Sequence, residues 1–111
     1  MPESPTVVAE GTQVAIVGTE QTLTDQVSVS RTFVVVVDTS ALMSGDILAL
    51  KIYTKARFTS VLNVAYYATF SGAQAQPNKY SVPVPADIEM KATLEQTAGT
   101  ARSFDWKVLA L

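Results

Sequence analysis

The sequence predicts an all-β fold, a two-sheet antiparallel sandwich of about seven to nine strands in jelly-roll or immunoglobulin-like order. Three observations carry that expectation. Apolar and polar residues alternate at period two over several stretches, as in strands with one buried face. Turn signals recur between those stretches at regular intervals. Valine and threonine, which suit a pleated and half-buried sheet, are abundant. A small barrel is the runner-up architecture.

The chain divides into an extended N-terminal arm, residues 1–6, and a single sandwich domain, residues 7–111. Pro2 and Pro5 mark the arm, which has little to bury. Val7, Val8 and Ala9 read as a short strand, and Glu10-Gly11 as a turn. Residues 12–17 then form a strand with Val14 and Ile16 on one face. Gly18-Thr19-Glu20 turns the chain, and short strand pieces follow over residues 21–25 and on toward Val29.

Residues 32–37 are the most hydrophobic strand. Phe33, Val35 and Val37 share one face, leaving Val34 and Val36 on the other. In an antiparallel sheet with one wet face that second set would be polar. Either the strand is central and covered on both sides, or Val34 and Val36 meet another subunit. Residues 38–46 read as a crossover between sheets containing about one helical turn near residues 39–44. Asp38 or Ser40 would cap it, and Leu42 would plug the core.

Residues 47–57 form a long strand with Leu48, Leu50, Ile52 and Thr54 facing one way. Its antiparallel partner, residues 61–70, turns Leu62, Val64, Tyr66, Ala68 and Phe70 to one side. Residues 71–85 are irregular, and Pro83 and Pro85 make residues 80–85 an edge segment or a loop rather than a central strand. Residues 86–111 read as one β-hairpin turning at Gly99. Ile88, Met90, Ala92 and Leu94 form one apolar row, and Phe104, Trp106 and Val108 form the other.

Composition narrows the chemistry. At 111 residues the chain is one domain that can hold a single core. It has no Cys and no His, which removes disulfides, thiolate chemistry, the commonest general base and the commonest metal ligand. The net charge is −2 and the eight basic residues are scattered, so nucleic acid is not the expected partner. No segment approaches the ~20 apolar residues that span a membrane, so no membrane partner is expected. The N-terminus lacks the pattern of a secretion signal, which points to a protein kept in a cytosol or released by lysis.

Each candidate chemical group has a simpler reading. Asp87 and Glu89 suit a solvated strand face better than an acid/base pair. Asp38, Thr39, Ser40 and Asp46 suit capping and turn closure better than a calcium loop. Ser40 and Ser44 lack a base. No catalytic, cofactor-binding or metal-ligating residue is therefore assigned, and the chain is expected not to be an enzyme.

The informative excess is apolar. Val34, Val36, Ile47, Leu109 and Leu111 sit where a monomer would place polar groups, and Tyr53 and Tyr67 share the outward side of two adjacent strands with Lys51 and Lys55. These seven apolar and aromatic residues are the candidate subunit interface of a homo-oligomer or larger assembly. Tyr53 and Tyr67 would alternatively stack a sugar. Trp106 is expected inside.

From Asp38 onward the chain resembles a family of small virion proteins of tailed bacteriophages. The run from Ala41-Leu42-Met43-Ser44-Gly45-Asp46 to Ile52-Tyr53-Thr54-Lys55 carries the resemblance. Ala73-Gln74-Ala75-Gln76-Pro77, the run from Asp87-Ile88-Glu89-Met90 to Ala98-Gly99-Thr100, and Trp106-Lys107 extend it. It covers roughly two-thirds of the chain and transfers no site residue. The resemblance implies a capsid decoration or cement protein, commonly a trimer, that bridges capsomers of the major capsid protein. It would be assembled in the host cytoplasm and located in the virion. A tail or fibre module that binds a cell-surface glycan or another tail protein is the alternative.

Overall fold

The computed structural model describes residues 5–28 and 30–111. Nine strands run through them: β1 (Thr6–Val14), β2 (Glu20–Val27), β3 (Arg31–Asp38), β4 (Ile47–Thr54), β5 (Asn63–Ser71), β6 (Asn78–Tyr80), β7 (Val84–Ala86), β8 (Glu89–Ala98) and β9 (Ser103–Ala110). Two antiparallel sheets result. One has the order β1-β9-β3-β6, with β7 also on β3, and the other has the order β2-β8-β4-β5. Strands β6 and β7 pair successive parts of β3, at Val36–Asp38 and Arg31–Phe33, so they act as one interrupted edge strand. Counted that way, the order is that of a jelly roll, and it decides against the immunoglobulin-like alternative.

The sandwich closes on the alternating rows that the sequence predicts. Phe33, Val35 and Val37 of β3 and Phe104, Val108 and Ala110 of β9 face Leu48, Leu50 and Ile52 of β4 and Met90, Ala92 and Leu94 of β8, all buried. Trp106 points inward and is half-buried at the margin of this core, with Gly11 beside its ring. Leu42 is buried at the mouth of the core, as expected.

Residues 86–111 do not form a hairpin. β8 pairs β2 and β4, whereas β9 pairs β1 and β3, so the two strands lie in opposite sheets. Their apolar rows meet across the core rather than side by side. Gln96 holds the corner between them. Its Nε2 donates to the carbonyls of Ala98 and Thr100, and its Oε1 accepts the Arg102 N–H.

The crossover from β3 to β4 contains no helical turn. Two tight turns replace it, closed by Leu42 N–H to Thr39 C=O and Asp46 N–H to Met43 C=O, both at 3.0 Å. Side chains compete with a helix here. Asp38 Oδ1 accepts the Ser40 N–H at 2.9 Å, and Thr39 Oγ1 donates to Pro77 C=O at 2.7 Å.

Near the N-terminus, β1 runs unbroken through Glu10-Gly11, where a turn was expected, because every residue from Ala9 to Val14 pairs with β9. The strand ends at Val14, so Ala15 enters the core, and Val14 and Ile16 are exposed. Most of the expected arm, residues 1–4, lies outside the described residues, as does Val29. Thr6 already pairs with Ala110. The strand expected over residues 61–70 starts at Asn63, and a register shift opposite Ile52–Tyr53 turns Val64 outward. β4 stops at Thr54 rather than continuing to residue 57.

One buried carboxylate ties the β3–β4 crossover to the β8–β9 corner. Asp46, 1% exposed, accepts the Met43 N–H at 3.0 Å, the Thr100 N–H at 3.0 Å and Arg102 Nε at 2.8 Å. The Met43 and Thr100 amides hold its carboxyl below the usual carboxylate range, against the opposing effect of burial and with help from Arg102. A depressed native pKa means that the unfolded state takes up the proton more readily. The stability that Asp46 supplies is therefore complete above the unfolded value and is lost as pH falls through the native one. We expect the urea midpoint to be flat above about pH 5 and to decline below about pH 4. In Asp46→Asn the midpoint above pH 5 is expected to drop and the acid decline to shrink, as read by urea titration across that range.

Candidate functional site

The seven interface candidates do not form one patch. Val34, Val36, Leu109 and Leu111 belong to the β1-β9-β3-β6 sheet or its end, and Ile47, Tyr53 and Tyr67 to the other sheet. The two outer faces differ in character.

The outer face of the β2-β8-β4-β5 sheet is a polar network. Glu20 Oε2 accepts the Tyr53 hydroxyl at 2.5 Å and Thr93 Oγ1 at 2.6 Å, with Lys51 Nζ 4.0 Å from Oε1. The Thr93 and Tyr53 hydrogen bonds hold the Glu20 carboxyl below its ordinary value, and the same bond to Glu20 raises the Tyr53 phenol. Lys91 lies over the Tyr53 ring at 5.8 Å and Lys51 over the Tyr67 ring at 5.6 Å. Each tyrosine thus already has a lysine against it. Further along, Lys55 pairs with Glu89 at 3.2 Å. Partial burial, followed by a hydrogen bond to Glu89, raises the Asp25 carboxyl, while that bond lowers Glu89. Ile47 sits half-buried at the far end of this face, opposite Ser71 and Ala98.

The outer face of the β1-β9-β3-β6 sheet is apolar at one end. Register aligns Val7 with Leu109 and Leu109 with Val34, so three apolar side chains cross three strands in one row. Leu111 follows, with its N–H donating to Thr32 C=O at 2.8 Å. Val7 is 47% exposed and Leu111 44%, whereas Val34 and Val36 are 9% and 6% exposed within the single chain. The central position of β3 therefore covers Val34 and Val36, and the surface open to a partner comes mainly from Val7, Leu109 and Leu111. Val7 escaped sequence reading because a register shift between Val7 and Ala9 puts those two residues on opposite faces.

Toward the other end, the same face becomes polar. Glu10, Thr12, Asp38, Asn78, Asp105 and Lys107 surround Val36 and Tyr80 in an open depression, where Thr12 donates to Asp105 at 2.6 Å. Residues 81–83 close this flank. Ser81 Oγ accepts the Val35 N–H at 2.9 Å, which fills the gap in the ladder between β6 and β7.

The chemical candidates do not converge. Asp46 is committed to the crossover, and Asp38 and Thr39 to its turns. Glu89 pairs with Lys55, while Asp87 borders a separate shallow hollow with Arg31 and Pro85. Among the described residues, no group of three or more Asp or Glu is placed to hold a metal ion. No helix among them is long and apolar enough to cross a membrane.

No family model matches the chain, and no curated protein matches it. Among solved structures it is similar to a chain in the structure of infectious bursal disease virus, Gx strain, at 16% identity and a TM-score of 0.42. The alignment covers 96% of this chain and 30% of the viral one, so the protein spans under a third of that chain's length.

Proposed function

We propose that the chain is a non-enzymatic structural protein of a virion, a decoration or cement protein on the head of a tailed bacteriophage. In this reading it bridges subunits of the major capsid protein and acts as a homo-oligomer, assembled in the host cytoplasm. The observation that carries the reading is the apolar surface that Val7, Leu109 and Leu111 leave open beside the covered Val34, on an outer sheet face. Apolar area of this kind on a small domain suits a protein contact. The row lies where β1 begins, with Thr6 paired to Ala110. The resemblance from Asp38 onward supports the virion role. Jelly rolls occur in viral capsid and lectin domains alike, so the fold agrees with this role by analogy and does not choose it.

The test is add-back to heads that lack the protein. The purified chain is expected to bind them to saturation and to raise the temperature at which they release DNA. Val7→Glu, an exposed change, is expected to leave the fold intact and weaken that binding. Failure of the wild-type chain to bind heads would contradict the proposal, and binding to tails would favour the tail-module alternative.

A further inference from the structure

The four sheet edges of this sandwich are not equally protected. An edge strand presents unpaired backbone groups that template pairing with another strand, and proteins blunt it with charge, proline, bulges or shortness. At one edge, β6 and β7 have three residues each and are separated by a proline-containing gap. β2 carries Glu20 and Asp25, and β1 carries Glu10 and a register shift between Val7 and Ala9. The remaining edge, β5, is long and lacks two of these devices, charge and proline. Its nine residues, Asn63-Val64-Ala65-Tyr66-Tyr67-Ala68-Thr69-Phe70-Ser71, include no charge and no proline. Its one register shift lies near its start, leaving Tyr66–Ser71 in regular pairing with β4. Among the described residues no strand pairs with its outer side.

We propose that β5 is a self-pairing edge: two copies of the chain join by antiparallel β5–β5 contact across a two-fold axis, which doubles the four-stranded sheet. The absence of charge selects a second copy as the occupant. In an isologous contact the residues nearest the axis meet their own counterparts or close neighbours, so a charge there would face a like charge across the seam. A two-fold axis at Ala68 sets Tyr66 opposite Phe70 and Tyr67 opposite Thr69, with side chains of each pair on one face. Tyr66 and Phe70 are only half-buried at the margin of the core, and the second copy completes their cover. Lys51 and Lys79 lie over the Tyr67 and Phe70 rings but belong to other strands.

The contact specifies the homo-oligomer of the proposed function and rests on that part of it. It makes a dimer, where the family resemblance implies a trimer. The experiment is light scattering of the purified chain over a range of concentrations, in low and in high salt. A dimeric mass is expected, with little salt dependence because the contact carries no charge. Thr69→Lys places a lysine on the exposed row of β5 and is expected to raise the dissociation constant about tenfold or more. Thr22→Lys on β2 is expected to leave the dimer unchanged. A trimer, a monomer at high concentration, or a dimer that survives Thr69→Lys would each overturn the contact. None of these results alters the head-binding test, so the two proposals fail separately. Pairing of β5 with a strand of another protein, seen as a monomer that Thr69→Lys prevents from binding heads, would likewise overturn self-pairing.

Discussion

Gly99→Ala is expected to lower stability by about 3–5 kcal/mol, a large share of the roughly 5–15 kcal/mol typical of a domain. Two effects add. Gly99 has φ +94°, which an alanine adopts only with strain. A Cβ there would also collide with Asp46 Oδ1 and stand 2.7 Å from Asp46 Cα. The second contact is with backbone, so rotation of a side chain does not relieve it. The change therefore pushes apart the β8–β9 corner and the β3–β4 crossover, which Asp46 joins. Gly18 provides the control. Its φ is +86°, but nothing lies within 4 Å of an added Cβ. Gly18→Ala is expected to cost about 1–2 kcal/mol, from backbone strain alone. Urea unfolding of both variants reads the difference as a larger drop in midpoint for Gly99→Ala at an unchanged slope. Equal drops would show that the crossover and corner are not packed as described.

Phe104→Ala is expected to destabilise by about 3–5 kcal/mol and to lower Tm by about 15 °C or more. The Phe104 side chain is fully buried among the rows of both sheets, so truncation leaves a cavity that two sheets anchored elsewhere cannot close. Phe58, 82% exposed in the β4–β5 connection, is the matched control. Phe58→Ala is expected to change stability by no more than about 0.5 kcal/mol. A thermal melt that moved equally for both would contradict the placement of β9 between β1 and β3.

Much of the fold was legible in the sequence because period-two patterning survives where strands have one buried face. Leu48, Leu50 and Ile52 on β4, Met90, Ala92 and Leu94 on β8, and Phe104 and Val108 on β9 all face the core as their spacing predicts. The pairing of those strands was not legible. Periodicity states which way a side chain points and is silent on which strand lies beside it. The short turn at Gly99 looks the same in a hairpin and in a corner that crosses between sheets. The difference lies in Gln96 and Asp46, whose long-range hydrogen bonds leave no local pattern. The helical turn near residues 39–44 failed for a related reason. Asp38 and Thr39 are as suited to other bonds as to capping a helix, and here Asp38 closes a turn onto the Ser40 N–H while the Thr39 hydroxyl ties the crossover to Pro77.

The candidate surface was legible only in part. Leu109 and Leu111 stood out as apolar residues in outward positions, but Val7 was hidden by the register shift beside it. Val34 and Val36 also stood out, yet a central strand already covers them. Tyr53 and Tyr67 were placed correctly on one outward face, but their lysine neighbours and the Glu20 hydrogen bond come from strands that only the fold brings together.

The most direct test of a head-decoration role is the copy number of this chain in purified particles, measured by quantitative mass spectrometry against the major capsid protein. A decoration protein is expected at a fixed ratio comparable to that of the capsid subunits. A few copies per particle would place it on the tail, and its absence from particles would contradict a structural role in the virion.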